Sequence, residues 1–337
     1  MKLELGYIPI RDIQFGPASK VDNNILYVNK EELSALILSD EGITSVELDI
    51  ARPGESVRIT PVKDVIEPRV KVSGAGGLFP GWCAKVQTVG SGRTHVLKGA
   101  AVVTTGKVVG FQEGIIDMCG EGAKYTPFSK LNNLVLNIQP KEGMLQHAYE
   151  KALRLAGLKA AEYLGRLAAE LTPEEVRTFE TCTVTEGIKK YPELPRVGYV
   201  LMLQSQGLLH DTYVYGVDAK QTLPTLIGPT ELMDGAIISG NCVSACDKNT
   251  TYHHLNNPVV EDLFSEHGST LNFAGLIITN ENVYLADKER SSDRTAELCA
   301  YLGLDGVIIS QEGFGNPDTD LIMNCKKIEA KGIKTVI

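Results

Sequence analysis

The sequence predicts an α/β protein, with a β-rich mixed N-terminal domain followed by an α/β domain built on a mostly parallel sheet. Short runs rich in β-branched residues, separated by glycine and proline, fill the first 140 residues. A long helical pattern follows, and strand and helix patterns then alternate along the remaining chain. Because strand–helix–strand units of these lengths need crossover connections, the alternating part predicts parallel pairing with right-handed crossovers.

The elements divide the chain into three parts. Residues 1–140 form the β-rich domain, 141–241 are a helix plus an α/β segment, and 242–337 are a second α/β segment. Strand patterns lie at 46–50, 56–59, 101–103, 197–203, 273–278, 306–310 and 333–337. Helix patterns lie at 30–39, 144–171, 258–268, 293–302 and 318–330, and Asn257-Pro258 supplies a cap and first-turn proline. The last strand pattern runs to Ile337, so we expect a truncated segment or one that pairs with another chain.

Composition excludes several functional classes. The 33 basic and 42 acidic residues give a net charge of −9, which disfavours nucleic acid and anionic membranes as partners. The first residues lack the apolar core of a signal peptide, and no run approaches the roughly 18 apolar residues of a membrane helix. The seven cysteines are an odd number, scattered through a large chain, and read as reduced thiols. We therefore expect a cytoplasmic protein.

The segment most suited to chemistry reads SGNCVSACD at 239–247. A cysteine after a small, flexible Gly-Asn pair can attack its own preceding carbonyl, here at the bond between Asn241 and Cys242. β-Elimination from the resulting thioester leaves a dehydroalanine, whose imine tautomer hydrolyses to a pyruvoyl group at position 242. Ser239 and Asp247 are candidates to move protons in these steps. His210 is a further candidate, because its ordinary pKa lies near neutrality.

Other interpretations of the same segment remain open. Cys242 and Cys246 with His253 and His254 have the ligand types of a zinc site, although adjacent histidine side chains diverge. Asparagine cyclisation, as in inteins, would break the same bond and leave an ordinary cysteine. Cys242 is also compatible with a buried structural thiol in a non-catalytic scaffold.

Several long blocks of the sequence resemble one known family. They read ARPGESVRI at 51–59, VGSGRTH at 89–95, GFQEGIIDM at 110–118, LQSQGLLHDTY at 203–213, YGVDAKQ at 215–221, NENVYLADKER at 280–290 and GNPDTD at 315–320. These blocks are similar to the pyruvoyl-forming proproteins of glycine/sarcosine/betaine reductase component B. The similarity extends from Met1 to Ile337, although family members continue beyond the position that matches Ile337.

The resemblance implies a processing site and a mechanism. The family's processed cysteine falls on Cys242, so cleavage after Asn241 would give a fragment 1–241 and a downstream fragment with the pyruvoyl group. That group binds the amine of glycine or sarcosine as a Schiff base, and a selenolate displaces the amine in a reductive deamination. Betaine, a quaternary amine, cannot form this adduct. The implied partners are a selenocysteine-containing subunit of the same component, a small selenoprotein carrier and a thioredoxin system, in a hetero-oligomer.

Overall fold

The fold was analysed in a computed structural model, which describes residues 1–108, 114–207, 209, 211–240 and 249–337. The strands are β1 Lys2–Pro9, β2 Asp12–Phe15, β3 Lys20–Asp22, β4 Ile25–Val28, β5 Ile43–Ala51, β6 Arg58–Ile66, β7 Arg69–Ser73, β8 Gly92–Lys98, β9 Ala100–Thr105, β10 Gly114–Asp117, β11 Asn132–Pro140, β12 Glu175–Glu180, β13 Arg196–Leu203, β14 Thr212–Val214, β15 Val217–Asp218, β16 Thr225–Ile227, β17 Ile237–Ser239, β18 Asn272–Asn280, β19 Gly306–Ser310 and β20 Lys334–Val336. The α-helices are α1 Lys30–Leu38, α2 Gln146–Arg166, α3 Val184–Lys190, α4 Pro229–Met233, α5 Thr251–Leu255, α6 Pro258–Glu266, α7 Leu285–Tyr301 and α8 Asn316–Glu329. Within these ranges, no helix has both the length and the apolar composition needed to cross a bilayer.

The first part of the chain is rich in strands, as the sequence predicts. One sheet has the order β10-β6-β9-β11-β5, and a second has the order β12-β1-β8-β7. α2 packs against both sheets, with contacts to β6, β7, β8, β9 and β11. Leu153 and Leu164 of its apolar stripe are fully buried in a core cluster that includes residues of both sheets.

The second part is built on a mostly parallel sheet with the order β16-β18-β13-β19-β20. β13 is the central strand and runs parallel to β18 on one side and to β19 on the other. Alternate β13 side chains enter different cores: Val200 and Met202 pack with α7 and α8, and Tyr199 and Leu201 pack towards the first-part sheet. The α/β prediction is therefore confirmed.

This strand order creates a crevice at one edge of the sheet. β13 and β19 are neighbours in this sheet. After β13 the chain goes on to β18, on the side away from β19, and after β19 it goes on to β20, on the side away from β13. The connections that follow these two strands therefore run in opposite directions. In open α/β sheets, ligand sites lie beyond the carboxyl ends of strands at such a point. The side-chain amide of Asn316, which follows β19, donates to Gln206 Oε1, which follows β13, at 2.6 Å. This hydrogen bond joins the segments that leave the two strands.

Helix ends differ from the sequence prediction in two places. α2 stops at Arg166 instead of near 171, because the following amides bond three residues back in tight turns and the His95 ring bonds the Ala168 carbonyl at 2.9 Å. α7 starts at Leu285 instead of 293 and includes the charged run 287–290. Within this charged run, the Lys288 side chain is buried and pairs with Asp320 of α8.

Candidate active site

The bond between Asn241 and Cys242 is the centre of the predicted site. Asn241, Cys242 and Asp247 lie outside the described residues, and so does His210. Ser239 is the one predicted site residue that the structure describes. The site is therefore built from the residues that lead into and out of the segment 241–248.

β17 leads into the segment as a buried strand. Its β-branched residues follow a turn at Gly235, and the strand pairs antiparallel with β14, with Ser239 opposite Thr212. Ser239 is 1% exposed, and its hydroxyl donates to the carbonyl of Gly240 at 3.1 Å. The Gly240 amide donates to the carbonyl of Asp211 at 2.6 Å. The backbone is thus held on the β14 side up to the residue before Asn241.

α5 leads out of the segment and is tied to β17 through side chains. The hydroxyl of Thr251, the first α5 residue, donates to Asp64 Oδ2 at 2.6 Å, and the Thr251 amide donates to Asp64 Oδ1 at 2.8 Å. The same hydroxyl oxygen accepts the Ser239 amide at 3.0 Å. Asp64 lies on β6, and both Asp64 and Thr251 are buried. One hydrogen-bonded cluster therefore joins the strand before the segment to the helix after it.

The carboxyl edge of the parallel sheet contacts Asn249, the residue that follows the segment. The Asn249 amide donates to Glu312 Oε2 at 3.0 Å, and the Glu312 amide donates to Glu281 Oε1 at 2.8 Å. The Ser205 hydroxyl donates to the Glu281 carbonyl at 2.6 Å and accepts the Glu281 amide at 3.0 Å. Ser205, Glu281 and Glu312 follow β13, β18 and β19, so three strand ends meet here.

The electrostatics of this edge favour a neutral carboxyl group. Burial, together with the nearby charge of Glu312, raises the pKa of Glu281 to about 9. Glu281 therefore carries its proton at neutral pH. On the β14 side, the buried Asp211 carboxylate accepts the Gly207 amide at 2.6 Å, with Lys220 Nζ 3.8 Å away.

A buried arginine supports the strand that pairs with β17. The Arg154 guanidinium lies 4.0 Å from the Trp82 ring and 4.2 Å from the Tyr213 ring, and it bonds Glu150 at 2.9 Å. Tyr213 is the middle residue of β14, opposite Ile238. This stack connects α2 to the strand pair that leads into the segment.

The two histidines of the zinc hypothesis occupy different environments. His253 Nδ1 accepts the Thr250 amide at 3.2 Å, and burial lowers the pKa of His253. His254 Nε2 lies 3.8 Å from Glu312 Oε1. Among the described residues, no three His, Cys, Asp or Glu side chains are grouped to hold a metal. Cys242 and Cys246 lie outside these residues, so the zinc interpretation stays a hypothesis.

Sequence reasoning did not select Asp64, Thr251, Glu281 or Glu312. Glu281 follows one predicted strand, and Glu312 lies two residues beyond another. Because ligand sites in parallel sheets lie beyond the carboxyl ends of the strands, this position in the sequence could have indicated both residues. Asp64 and Thr251 lie 187 residues apart. No local pattern predicts that they meet.

A polar site at the carboxyl edge of a parallel sheet is typical of α/β enzymes that act on small molecules. Residues 1–337 match the sequence model of a family described as glycine/sarcosine/betaine reductase component B subunits. The chain belongs to this family, and it is therefore a component of a multi-component reductase.

Three curated relatives illustrate the similarity, each matched over the whole of this chain, and all come from Peptoclostridium acidaminophilum. The component B subunits alpha and beta of a glycine reductase complex are 69% identical, with 79% of the relative covered. A sarcosine reductase complex component B subunit alpha is 62% identical, with 79% covered. A betaine reductase complex component B subunit alpha is 43% identical, with 77% covered. No solved structure matches the chain.

Proposed function

We propose that this chain is the proprotein of the substrate-specific component of a glycine reductase. It cleaves itself between Asn241 and Cys242, and the downstream fragment carries a pyruvoyl group at position 242. The observation that carries this proposal is the anchoring, in buried polar groups, of the residues that flank the segment 241–248: Ser239 bonds Thr251, and Asn249 bonds Glu312. The glycine reductase relative supports it too, since one chain there is named for two subunits.

The cleavage needs no oxidant or reductant. The Cys242 sulfur bonds to the Asn241 carbonyl carbon as the peptide C–N bond breaks, and the freed amine takes up a proton. β-Elimination then leaves the sulfur on the fragment 1–241 as a thiocarboxylate and a dehydroalanine at position 242. Water replaces the nitrogen of the imine tautomer, and ammonia leaves. Ser239, Asp247 and His210 stay our candidates for moving the protons.

The described flanks fit a pyruvoyl group. Ser239 and Gly240, which lead into the segment, are buried. When present, the group supplies an electrophilic carbonyl that takes the substrate amine and withdraws electrons from the α-carbon. Glu281 holds a proton at neutral pH, and Glu312 adds a second carboxyl that suits a cationic amine. We propose glycine first, because identity falls from 69% to the glycine reductase relative to 62% and 43% for the others.

The two proposed fragments share one sheet. β13 belongs to the fragment 1–241, and the strands on both sides of it, β18 and β19, belong to the downstream fragment. Separating the fragments would expose the backbone amides and carbonyls of the central strand together with two cores. We therefore propose that the fragments stay together as an obligate pair. The boundaries at 140 and 241 remain our proposed domain division.

The proposed partners follow from the family's component structure. They are a selenocysteine-containing subunit, a small selenoprotein carrier and a thioredoxin system, and we place the assembly in the cytoplasm. Exposed apolar side chains flank the sheet edge: Tyr284 is 72% exposed and Phe314 is 78% exposed. The Asn316 side-chain amide donates to the Asn282 carbonyl at 3.3 Å, so the segment with Tyr284 is joined to the segment with Phe314. This rim supports docking of a partner protein beside the site.

Intact-mass measurement of the purified chain tests the proposal. We expect a fragment 1–241 and a downstream fragment lighter than its encoded sequence, since sulfur and nitrogen are lost from position 242. Borohydride with glycine should add mass to the downstream fragment alone.

Two variants complete the test. Cys242→Ala should leave one uncleaved chain, and the matched control Cys246→Ala should be cleaved like the wild type. Cleavage of Cys242→Ala after Asn241 would rule out the thiol route. An active wild-type protein with an intact chain would contradict the pyruvoyl proposal, and an intact, inactive chain would favour the zinc or scaffold interpretation.

A further inference from the structure

We infer that Thr251 and Asp64 are positioning residues for backbone cleavage: Thr251 bonds Ser239, Asp64 fixes Thr251, and together they hold the chain before the scissile bond against the helix that follows it. This deepens the proposed function and rests on it. We assign neither residue a step in the bond breaking itself. Their role is to fix the two points between which the segment with Cys242 is held.

The upstream point is the Ser239 amide. β17 is the last strand in the sheet order β15-β14-β17, so among the described residues no strand lies on its outer side to accept an amide there. That amide donates to the Thr251 hydroxyl oxygen at 3.0 Å. A side chain from beyond the segment therefore takes the place of a strand, two residues before Asn241.

The orientation of the Thr251 hydroxyl is set by Asp64. The hydroxyl donates its one proton to Asp64 Oδ2 at 2.6 Å, which leaves an oxygen lone pair for the Ser239 amide. The second carboxylate oxygen accepts the Thr251 amide at 2.8 Å, so the backbone of α5 is bound as well. All three residues are buried, which strengthens these bonds and limits competition from water.

Asp64 is itself held by a sheet far from the segment in sequence. Its amide donates to the Thr104 hydroxyl of β9 at 3.1 Å, and its Oδ1 also accepts the Val65 amide at 2.8 Å. β6 and β9 are neighbouring strands of the five-stranded sheet. The anchor is therefore part of a rigid element and not of a loop.

Fixed flanks matter because attack of a thiol on its own preceding carbonyl needs an unusual backbone geometry. A misplacement of about 1 Å by a distant mutation can slow a reaction about 100-fold. Loss of the Thr251–Ser239 bond frees one flank of the segment. We expect Thr251→Val, which keeps the side-chain shape and removes the hydroxyl, to slow cleavage by roughly 10- to 100-fold.

The experiment follows conversion of full-length chain to two fragments after a pulse of cell-free synthesis, by gel electrophoresis and intact mass. Thr251→Ser restores the hydroxyl and should cleave within about threefold of wild type, a rescue that a merely structural methyl contact would not produce. Thr250→Val is the matched control, because Thr250 caps the same helix but bonds His253 and not Ser239. It should cleave like the wild type.

The outcomes separate this inference from the proposed function. A wild-type chain that is never cleaved overturns both. Wild-type cleavage together with a folded Thr251→Val variant that cleaves at the same rate overturns the positioning role alone, and so does equal slowing by Thr250→Val. Should Thr251→Val fail to give a native circular-dichroism spectrum, Asp64→Asn decides: slower cleavage by a folded variant supports the inference, and an unchanged rate rejects it.

Discussion

Arg69 offers the sharpest test of the packing between the two proposed fragments. It is fully buried, and its guanidinium bonds Glu67 through Nε at 2.9 Å and through Nη2 at 2.6 Å. It also donates to the carbonyl of Met233 at 2.7 Å and to Asn256 Oδ1 at 2.9 Å. Met233 precedes the proposed cleavage bond and Asn256 follows it, so one side chain connects both sides.

Replacing Arg69 with methionine removes the guanidinium cation and leaves the buried Glu67 carboxylate without its charged partner. Breaking one partner of a buried ion pair costs about 3–5 kcal/mol. A typical domain has about 5–15 kcal/mol of stability in total, so the loss should be easy to measure. The double variant Arg69→Met/Glu67→Met should recover much of the lost free energy of unfolding, because it removes both charges of the buried pair.

The assay is equilibrium unfolding in urea, followed by the fluorescence of Trp82, the one tryptophan. It is done in the Cys242→Ala background so that a single chain unfolds. Arg166→Met is the control: Arg166 is 67% exposed and pairs with Glu162 at 2.7 Å, so its loss should cost less than about 1 kcal/mol. A loss below about 1 kcal/mol for Arg69→Met, or a double variant less stable than the single one, would refute the reasoning.

Three further predictions follow from other contacts. Gly165→Ala should destabilise the protein by about 1–3 kcal/mol in the same assay, because a Cβ there would lie 1.9 Å from the Arg69 carbonyl oxygen. Glu281 keeps its proton to about pH 9 when folded but loses it near pH 4.5 when unfolded, so it contributes a fall in stability as pH rises through that window. Glu281→Gln should flatten unfolding free energies measured from pH 5 to 9; parallel curves would contradict this. Burial raises the pKa of Cys299 to about 12, so peptide mapping after iodoacetamide treatment at pH 8 should find it unmodified while the partly exposed Cys182 reacts.

Local patterns in the chain were sufficient to predict much of the parallel-sheet region. α6, β19 and α8 each combine an apolar pattern with a cap, a proline or a glycine at an end, and β18 has an apolar pattern alone; each was predicted within a few residues. The Asn257 cap is confirmed, since its side chain accepts the Val260 amide at 3.0 Å. The start of α7 was missed because its first turns are charged, and Lys288 is buried only because Asp320 of another helix faces it.

The candidate site was predicted much less completely. Family resemblance and the residue types at 239–247 led to Cys242, and that assignment stays a prediction because the residue lies outside the described part. The residues that hold the segment, such as Asp64 and Glu312, come from distant strands. Their importance depends on long-range pairing, which a single sequence does not reveal.

The sequence by itself therefore determined the α/β class and most elements after residue 249, because these depend on local periodicity, turn residues and residue type. The bond where chemistry is expected came from residue types together with the family resemblance, and it stays a prediction. Only the tertiary structure decided that β13 lies between strands from beyond that bond, and that Thr251 and Asp64 meet Ser239. Sheet order and buried hydrogen bonds arise from packing between segments far apart in the chain. The stability of such pairings depends on residues that lie too far apart to be recognised together in a short stretch of sequence.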